Sequence, residues 1–378
     1  MIELLLLLYI VVYCPLIIYV YSSLLKKYED PKYHRSDIPE KFQPFRRRDY
    51  KNWNKLEIYF GAIFLLPLRL IFVLGSLFAF AFVFFVTTKD FKLENPWPAN
   101  RYKFLRQPLQ FLARAYLFFS GFYQIKQRVV KYSDYDQAYV QTQINVLSQP
   151  SIIVSNHVSW YDTITYVFKY LPSFVSKDTV KDYPVFGWIT TNLKSIFVER
   201  ENANNRKQVM LDILNRVNLI NQGHLFPPVL IFPEGTTSNG NYILSFKKGA
   251  FEPLQPIKIC CLKYSPRRFS VAMDCIGIYA TTLLSLVQWK NELEIIEFEG
   301  LYDPTYLKLE QYPEEKRWEI YADKVKDIMS KCLGLEKSNS GFREEHDYEV
   351  EILGEKKKKQ TQNNMKQQNQ EDDKQKVE

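Results

Sequence analysis

His157 is one of four histidines in the 378-residue chain, and it stands five positions ahead of Asp162 in SNHVSWYDT, directly after the apolar run IIV. An imidazole, with an unperturbed pKa near ~6.5, is suited to taking up a proton at neutral pH, and a carboxylate one helical turn on can hold its other ring nitrogen. Such a carboxylate fixes the tautomer and stabilises the imidazolium once formed, as in a catalytic triad without its own nucleophile. A His and an Asp at this spacing also cap helices, so the pair by itself leaves both readings open. Ser159 is two residues from His157, too close in sequence for the mutual geometry that a nucleophile and its base need.

A second constellation is IFPEGTTSNG. Pro233 ends an apolar run, Gly235 permits a close approach of the backbone, and Thr236, Thr237 and Ser238 carry hydroxyls and amides able to meet phosphate or alcohol oxygens. A polar turn with an incidental Glu234 is the plainer alternative. Between the two motifs, SIFVERE places Arg200 at a strand end, where it could clamp a phosphate bidentately or pair with Glu199 or Glu201. The other histidines, His34, His224 and His346, have no metal-ligand spacing, and no metal is expected.

Short apolar runs must position these residues. SIIVS (151–155), LKSIFVER (193–200), PVLIFPEG (228–235), IKICCLKY (257–264) and ELEIIEFEG (292–300) read as strands, several buried on both faces. Between them a helix puts Val209, Met210, Ile213, Leu214, Val217 and Ile220 on one stripe, and a later one faces Trp318, Tyr321, Val325 and Ile328 inward. Strands alternating with helices predict an α/β domain, a mixed sheet flanked by helices, over 140–335. His157 then follows a buried strand and opens a helix, where a side chain projects into a cleft. Residues 336–378 are polar and read as a disordered tail.

Residues 1–25 carry one charge, Glu3, and are long enough to cross a bilayer core of about 30 Å, with neither a basic flank nor a cleavage site to make them a signal peptide. They read as an uncleaved anchor. Residues 26–57 form a basic loop with ten Lys and Arg against six acids, suited to anionic headgroups rather than nucleic acid. Ile58 to Val86 is a second apolar block, longer than one crossing needs, with Pro67 and Gly75 as candidate bends and Arg69 expected to snorkel or to face protein. The positive-inside rule puts the basic loop in the cytosol, and five cysteines without a CxxC pair suggest a reducing compartment. The second segment (58–90), re-entrant or spanning, is therefore expected to be a re-entrant hairpin or an interfacial element that keeps the main domain cytosolic. Residues 91–139 read as an interfacial helical linker.

SNHVSWYD, IFVERE, FPEGTTSNG and QPIKICCLKY, in this order, resemble the four blocks of the glycerolipid acyltransferase superfamily, over roughly residues 110–335. YILSFKKGAF and the segments after it look most like the branch acting on lysophosphatidylcholine and lysophosphatidylethanolamine. The resemblance implies His157 as general base and Asp162 as its orienting partner. It implies Arg200, Glu234 and Gly235 as binders of the acceptor's phosphate region, with Asn156, Thr236 and Thr237 counted among the substrate-binding residues, and Pro256 near the acyl donor. Gln255 and Lys258 depart from the apolar pattern of the fourth block. The expected function is acyl transfer from acyl-CoA, a co-substrate with no separate cofactor, to a lysophospholipid at the endoplasmic reticulum membrane. A glycerol-3-phosphate or lysophosphatidate acyltransferase, and a non-catalytic lipid-binding membrane protein, are the alternatives.

Overall fold

A computed structural model describes residues 2–88, 95–139, 150–183, 185–199 and 203–354. Its centre is a seven-stranded sheet in the order β1-β8-β7-β2-β5-β3-β4. The strands are β1 (Ile125–Val130), β2 (Ile152–Ser155), β3 (Ser173–Lys177), β4 (Ile196–Val198), β5 (Val229–Ile231), β7 (Lys258–Tyr264) and β8 (Leu293–Phe298). All neighbours are parallel except β7 and β8, so the sheet is mixed, as expected. β6 (Tyr242–Ile243) pairs separately with β9 (Glu336–Lys337).

Residues alternate between two cores along the central strands. Ile153, Leu230, Cys260 and Leu262 face one side, with Tyr161 and Tyr166 of the helix after β2. Ile152, Val154, Val229, Ile231, Ile259 and Cys261 face the other. There they meet Val209, Ile213 and Val217 of helix Ala203–Asn221, and Tyr321, Val325, Ile328 and Met329 of helix Glu314–Leu333. With helices on both faces, the central strands need apolar side chains at successive positions, which is why they read as unbroken apolar runs. β1 escaped that reading because IKQRVV is a solvent-facing edge strand with four exposed residues. The segment 91–139 is thus not a purely helical linker, and the sheet begins well before residue 140.

Among the described residues, two helices are long and apolar enough to cross a membrane: α1 (Ile2–Tyr28) and α2 (Lys55–Thr88). Each contains a π turn, Tyr9–Tyr13 and Gly61–Leu65, just ahead of a proline, Pro15 and Pro67. Pro67 has no N–H for the carbonyl of Ile63, and the hydroxyl of Tyr9 donates to that oxygen instead. Tyr13 likewise donates to Ala62 (2.8 Å), and Ser22 bonds Tyr59 (2.9 Å), so the helices cross near residues 59–63. Gly61 is required there, because a Cβ would lie 1.9 Å from the carbonyl oxygen of Val287.

α2 runs without reversal from Lys55 to Thr88, which corrects the expected hairpin. The helix is continuous through Gly75. Leu66, Arg69, Val73, Phe80 and Phe84 recur at helical spacing and pack on the domain. Phe64, Leu68, Ile71, Phe78, Phe82 and Phe85 point outward. Arg69 does not snorkel. It is buried and donates to the carbonyls of Leu286 (2.6 Å), Trp289 (3.0 Å) and Gln288, and to the hydroxyl of Tyr123 (2.6 Å), collecting the oxygens left open where helix Ile278–Val287 ends. Alongside, helix α3 (Ala99–Phe119) exposes Phe104, Phe111 and Phe118, seven residues apart and so on one face.

The basic loop is partly interior. Arg47 is buried, ion-paired with Asp49 and with Asp274 (3.3 Å), and donates to Ala272 (3.1 Å), so it is unavailable to lipid. The segment read as a polar tail also folds in its first part. Helix Phe342–Glu351 packs Tyr348 against Phe42 and Phe45 of the loop. Residues 355–378 lie outside the described residues.

Candidate active site

Strands β5, β2 and β7 are adjacent and parallel, so their carboxyl ends open on one edge. That edge, where loops leave a parallel sheet, is where ligands bind in α/β folds. β2 delivers Asn156 and His157, β5 delivers Phe232 and Glu234, and β7 delivers Leu262 and Tyr264.

His157 Nδ1 lies 2.8 Å from Asp162 Oδ2. A carboxylate only accepts, so Nδ1 carries the proton and the lone pair resides on Nε2. The same Oδ2 accepts the amides of Val158 (2.7 Å) and Ser159 (2.9 Å), while Oδ1 accepts the hydroxyl of Tyr264 (2.5 Å). Asp162 therefore caps the turn and orients the ring at once. The imidazole is sandwiched against Phe232, ring centres 4.0 Å apart and 11° from parallel, with 21% of the side chain exposed. Nε2 has no partner among the described residues.

Glu234 is wholly interior. Its Oε1 accepts the amide of His157 (2.8 Å) and Oε2 that of Leu244 (2.8 Å), which ties the PEGTT loop to the backbone of the turn that carries His157. Burial pushes its carboxyl up to about 7, against the pull of those two amides. Both oxygens are occupied by the protein, so Glu234 is not placed to bind an acceptor's phosphate. Burial likewise raises Tyr264 well above the usual phenol range, which keeps it a donor to Asp162.

Other expected residues are placed differently. Asn156 spends its amide on Leu262, donating to its carbonyl (2.9 Å) and accepting its N–H (2.8 Å), and so locks β2 to β7. Gly235 takes the left-handed conformation, φ +70°, that its turn needs. Thr236 donates its hydroxyl to Glu345 of the C-terminal helix, and Thr237 to the carbonyl of Met273 (2.5 Å), so neither hydroxyl is free for substrate. Pro256 precedes β7 at the far end of the sheet, six residues before Leu262, about 20 Å away along a strand. It does not reach this cluster. Ser159 is fully buried, its hydroxyl oxygen accepting the amide of Tyr161 (3.4 Å). Arg200 lies outside the described residues. Among the described residues no group of His, Cys, Asp and Glu could hold a metal ion. A narrow apolar cavity between α2, α3 and the helix carrying Asp162, bounded by Phe80, Tyr116, Ile164, Phe174 and Phe186, lies next to this turn.

Residues 132–261, which hold Asn156, His157, Asp162, Phe232 and Glu234, match the family model "Acyltransferase". Lysophospholipid acyltransferase LPEAT1 of Arabidopsis thaliana is 34% identical over 257 residues, 65% of this chain and 63% of that one. Over this stretch the chain is similar to acyltransferases. Lysophosphatidylcholine acyltransferase 2 of Homo sapiens is 28% identical over 288 residues, covering 74% of this chain and 48% of the relative. The chain thus spans between about half and 63% of the length of these two relatives. The crystal structure of the 1-acyl-sn-glycerophosphate acyltransferase PlsC from Thermotoga maritima aligns with 73% of this chain and 97% of its own, at 16% identity and a TM-score of 0.45. Tyr264 carried no signal in the sequence, since only the pairing of β2 with β7 brings it to Asp162.

Proposed function

We propose that the protein is a membrane-bound acyl-CoA:lysophospholipid acyltransferase. The observation that carries this reading is the His157–Asp162 pair, with Nδ1 held and Nε2 open at the edge of the sheet. Nε2 takes the proton of the acceptor's free hydroxyl as its oxygen attacks the thioester carbonyl of acyl-CoA. The tetrahedral intermediate collapses with cleavage of the C–S bond, and the proton on Nε2 passes to the departing thiolate. Products are the diacyl phospholipid and free CoA. No acyl-enzyme is needed, and Ser159 is buried and turned to backbone. The apolar cavity behind Ile164 and Phe186 suits the end of the acyl chain.

The names of the relatives, a lysophospholipid and a lysophosphatidylcholine acyltransferase, favour lysophosphatidylcholine or lysophosphatidylethanolamine as acceptor. The outward phenylalanines of α2 and α3 form an exposed apolar surface, and lipid is its natural cover. α1 serves as anchor while α2 and α3 lie in the cytosolic leaflet of the endoplasmic reticulum, with the sheet in the cytosol. The five free thiols fit a reducing compartment. The test is a panel of lysolipids and glycerol 3-phosphate offered to the purified protein with one radiolabelled acyl-CoA, while thiol release is followed. Labelled phosphatidylcholine or phosphatidylethanolamine with stoichiometric thiol supports the reading. Product from glycerol 3-phosphate or lysophosphatidate only, or label transfer without thiol, refutes it.

A further inference from the structure

A cavity of about 440 Å³ lies where α2 begins, and no residue lining it belongs to the catalytic cluster. Arg267 and Arg268, just after β7, and Lys290, after helix Ile278–Val287, supply three cations against one acid, Glu57. Glu57 is engaged by Arg268 (3.1 and 3.3 Å) and Lys290 by Glu292 outside the cavity (3.1 Å). Arg267 has no partner among the described residues. Trp53 and Trp289 wall the cavity, and Trp289, 55% exposed, stacks on Phe60 with ring centres 5.6 Å apart.

Phe60 begins a row. Phe64, Leu68 and Phe72 follow at four-residue steps on the same outer face of α2, and all four are exposed. The row is about 18 Å long, the reach of a long acyl chain. Cations walled by tryptophan at one end and a continuous apolar track at the other match the two halves of one amphiphile.

We propose that this surface binds one anionic phospholipid, its phosphate between Arg267, Arg268 and Lys290 and an acyl chain along Phe60, Phe64, Leu68 and Phe72. The open guanidinium of Arg267 accepts a phosphate bidentately, and the surplus of positive charge disfavours a headgroup carrying its own cation. Such a lipid would hold the sheet at a fixed height, because Arg267 follows Tyr264, the residue bonded to Asp162, by three positions. The proposal does not depend on the catalytic reading.

The test uses the delipidated full-length protein in detergent and its tryptophan quenching by phospholipids brominated in the acyl chain. Brominated phosphatidylglycerol should quench saturably at a concentration about fivefold or more below brominated phosphatidylcholine, as expected of the one uncompensated cation, Arg267, worth roughly 1 kcal/mol. Trp289→Phe should remove most of that quenching. Arg267→Gln with Lys290→Gln should abolish the preference, as should Arg267→Glu, which disturbs no existing pair. His157→Ala should bind as the wild type does, separating this result from any failure of the acyltransferase reading. Equal quenching by both lipids, an unchanged preference in both cation variants, or displacement of the lipid by millimolar inorganic phosphate would overturn the proposal, the last by making the cavity a site for free phosphate.

Discussion

Asp162 binds the ring of His157 with the same oxygen that accepts the amides of Val158 and Ser159, so the turn that carries His157 and the carboxylate that aims its ring form one unit. Asp162→Asn can no longer present an acceptor at both oxygens. An amide nitrogen at either position would face a donor, Tyr264 on one side or the two amides and Nδ1 on the other. The expected outcome is a loss of kcat by about 10²- to 10⁴-fold with little change in KM for acyl-CoA. Steady-state thiol release checks it.

Tyr264→Phe removes one hydrogen bond to Asp162 and leaves the other three. A buried bond of this kind contributes about 1–3 kcal/mol, so kcat should fall by about tenfold while thermal stability drops only modestly. Finding kcat unchanged would reduce Tyr264 to packing.

Glu234 makes stability depend on pH. Its folded carboxyl titrates near 7, above its ordinary value of 4.5, so between these values the folded chain retains a proton that the unfolded chain gives up. Stability contributed by this group is fully present below about 4.5 and is lost as pH rises through about 7. Glu234→Gln removes that slope and leaves an amide of His157 or Leu244 without its acceptor, at a cost of about 1–3 kcal/mol. Melting temperatures of both proteins at several pH values from 5 to 8 supply the difference curve.

Arg69→Met should destabilise the protein by about 3 kcal/mol or more, because the carbonyls of Leu286, Gln288 and Trp289 lose their shared donor in an apolar setting. Arg69→Lys should restore part of this, since an ammonium reaches fewer of the oxygens. Thermal unfolding in detergent is the measurement.

The sheet was legible in the sequence because its central strands are apolar on both faces, and the His157–Asp162 pair because both residues sit in one turn. What failed depended on partners distant in sequence. Thr236 and Thr237 look like free hydroxyls until Glu345 and Met273 fold against them, and Glu234 looks like a ligand until two backbone amides take it. Pro256 was placed near the donor by block resemblance, and strand direction puts it at the opposite end. α2 passes for a hairpin by length, yet its inward face repeats at helical spacing from Ile58 to Thr88. The start of the polar C-terminal segment folds because Tyr348 finds an aromatic pocket in a loop some 300 residues earlier.

The most direct measurement is turnover of radiolabelled acyl-CoA with a lysophospholipid by purified wild-type and His157→Ala proteins that reconstitute equally into membranes. Removal of the base should leave about 1% of the rate or less, with the melting temperature little changed. A variant that retained most of its acyl-CoA-dependent turnover would contradict the assignment of His157 as the group that activates the acceptor.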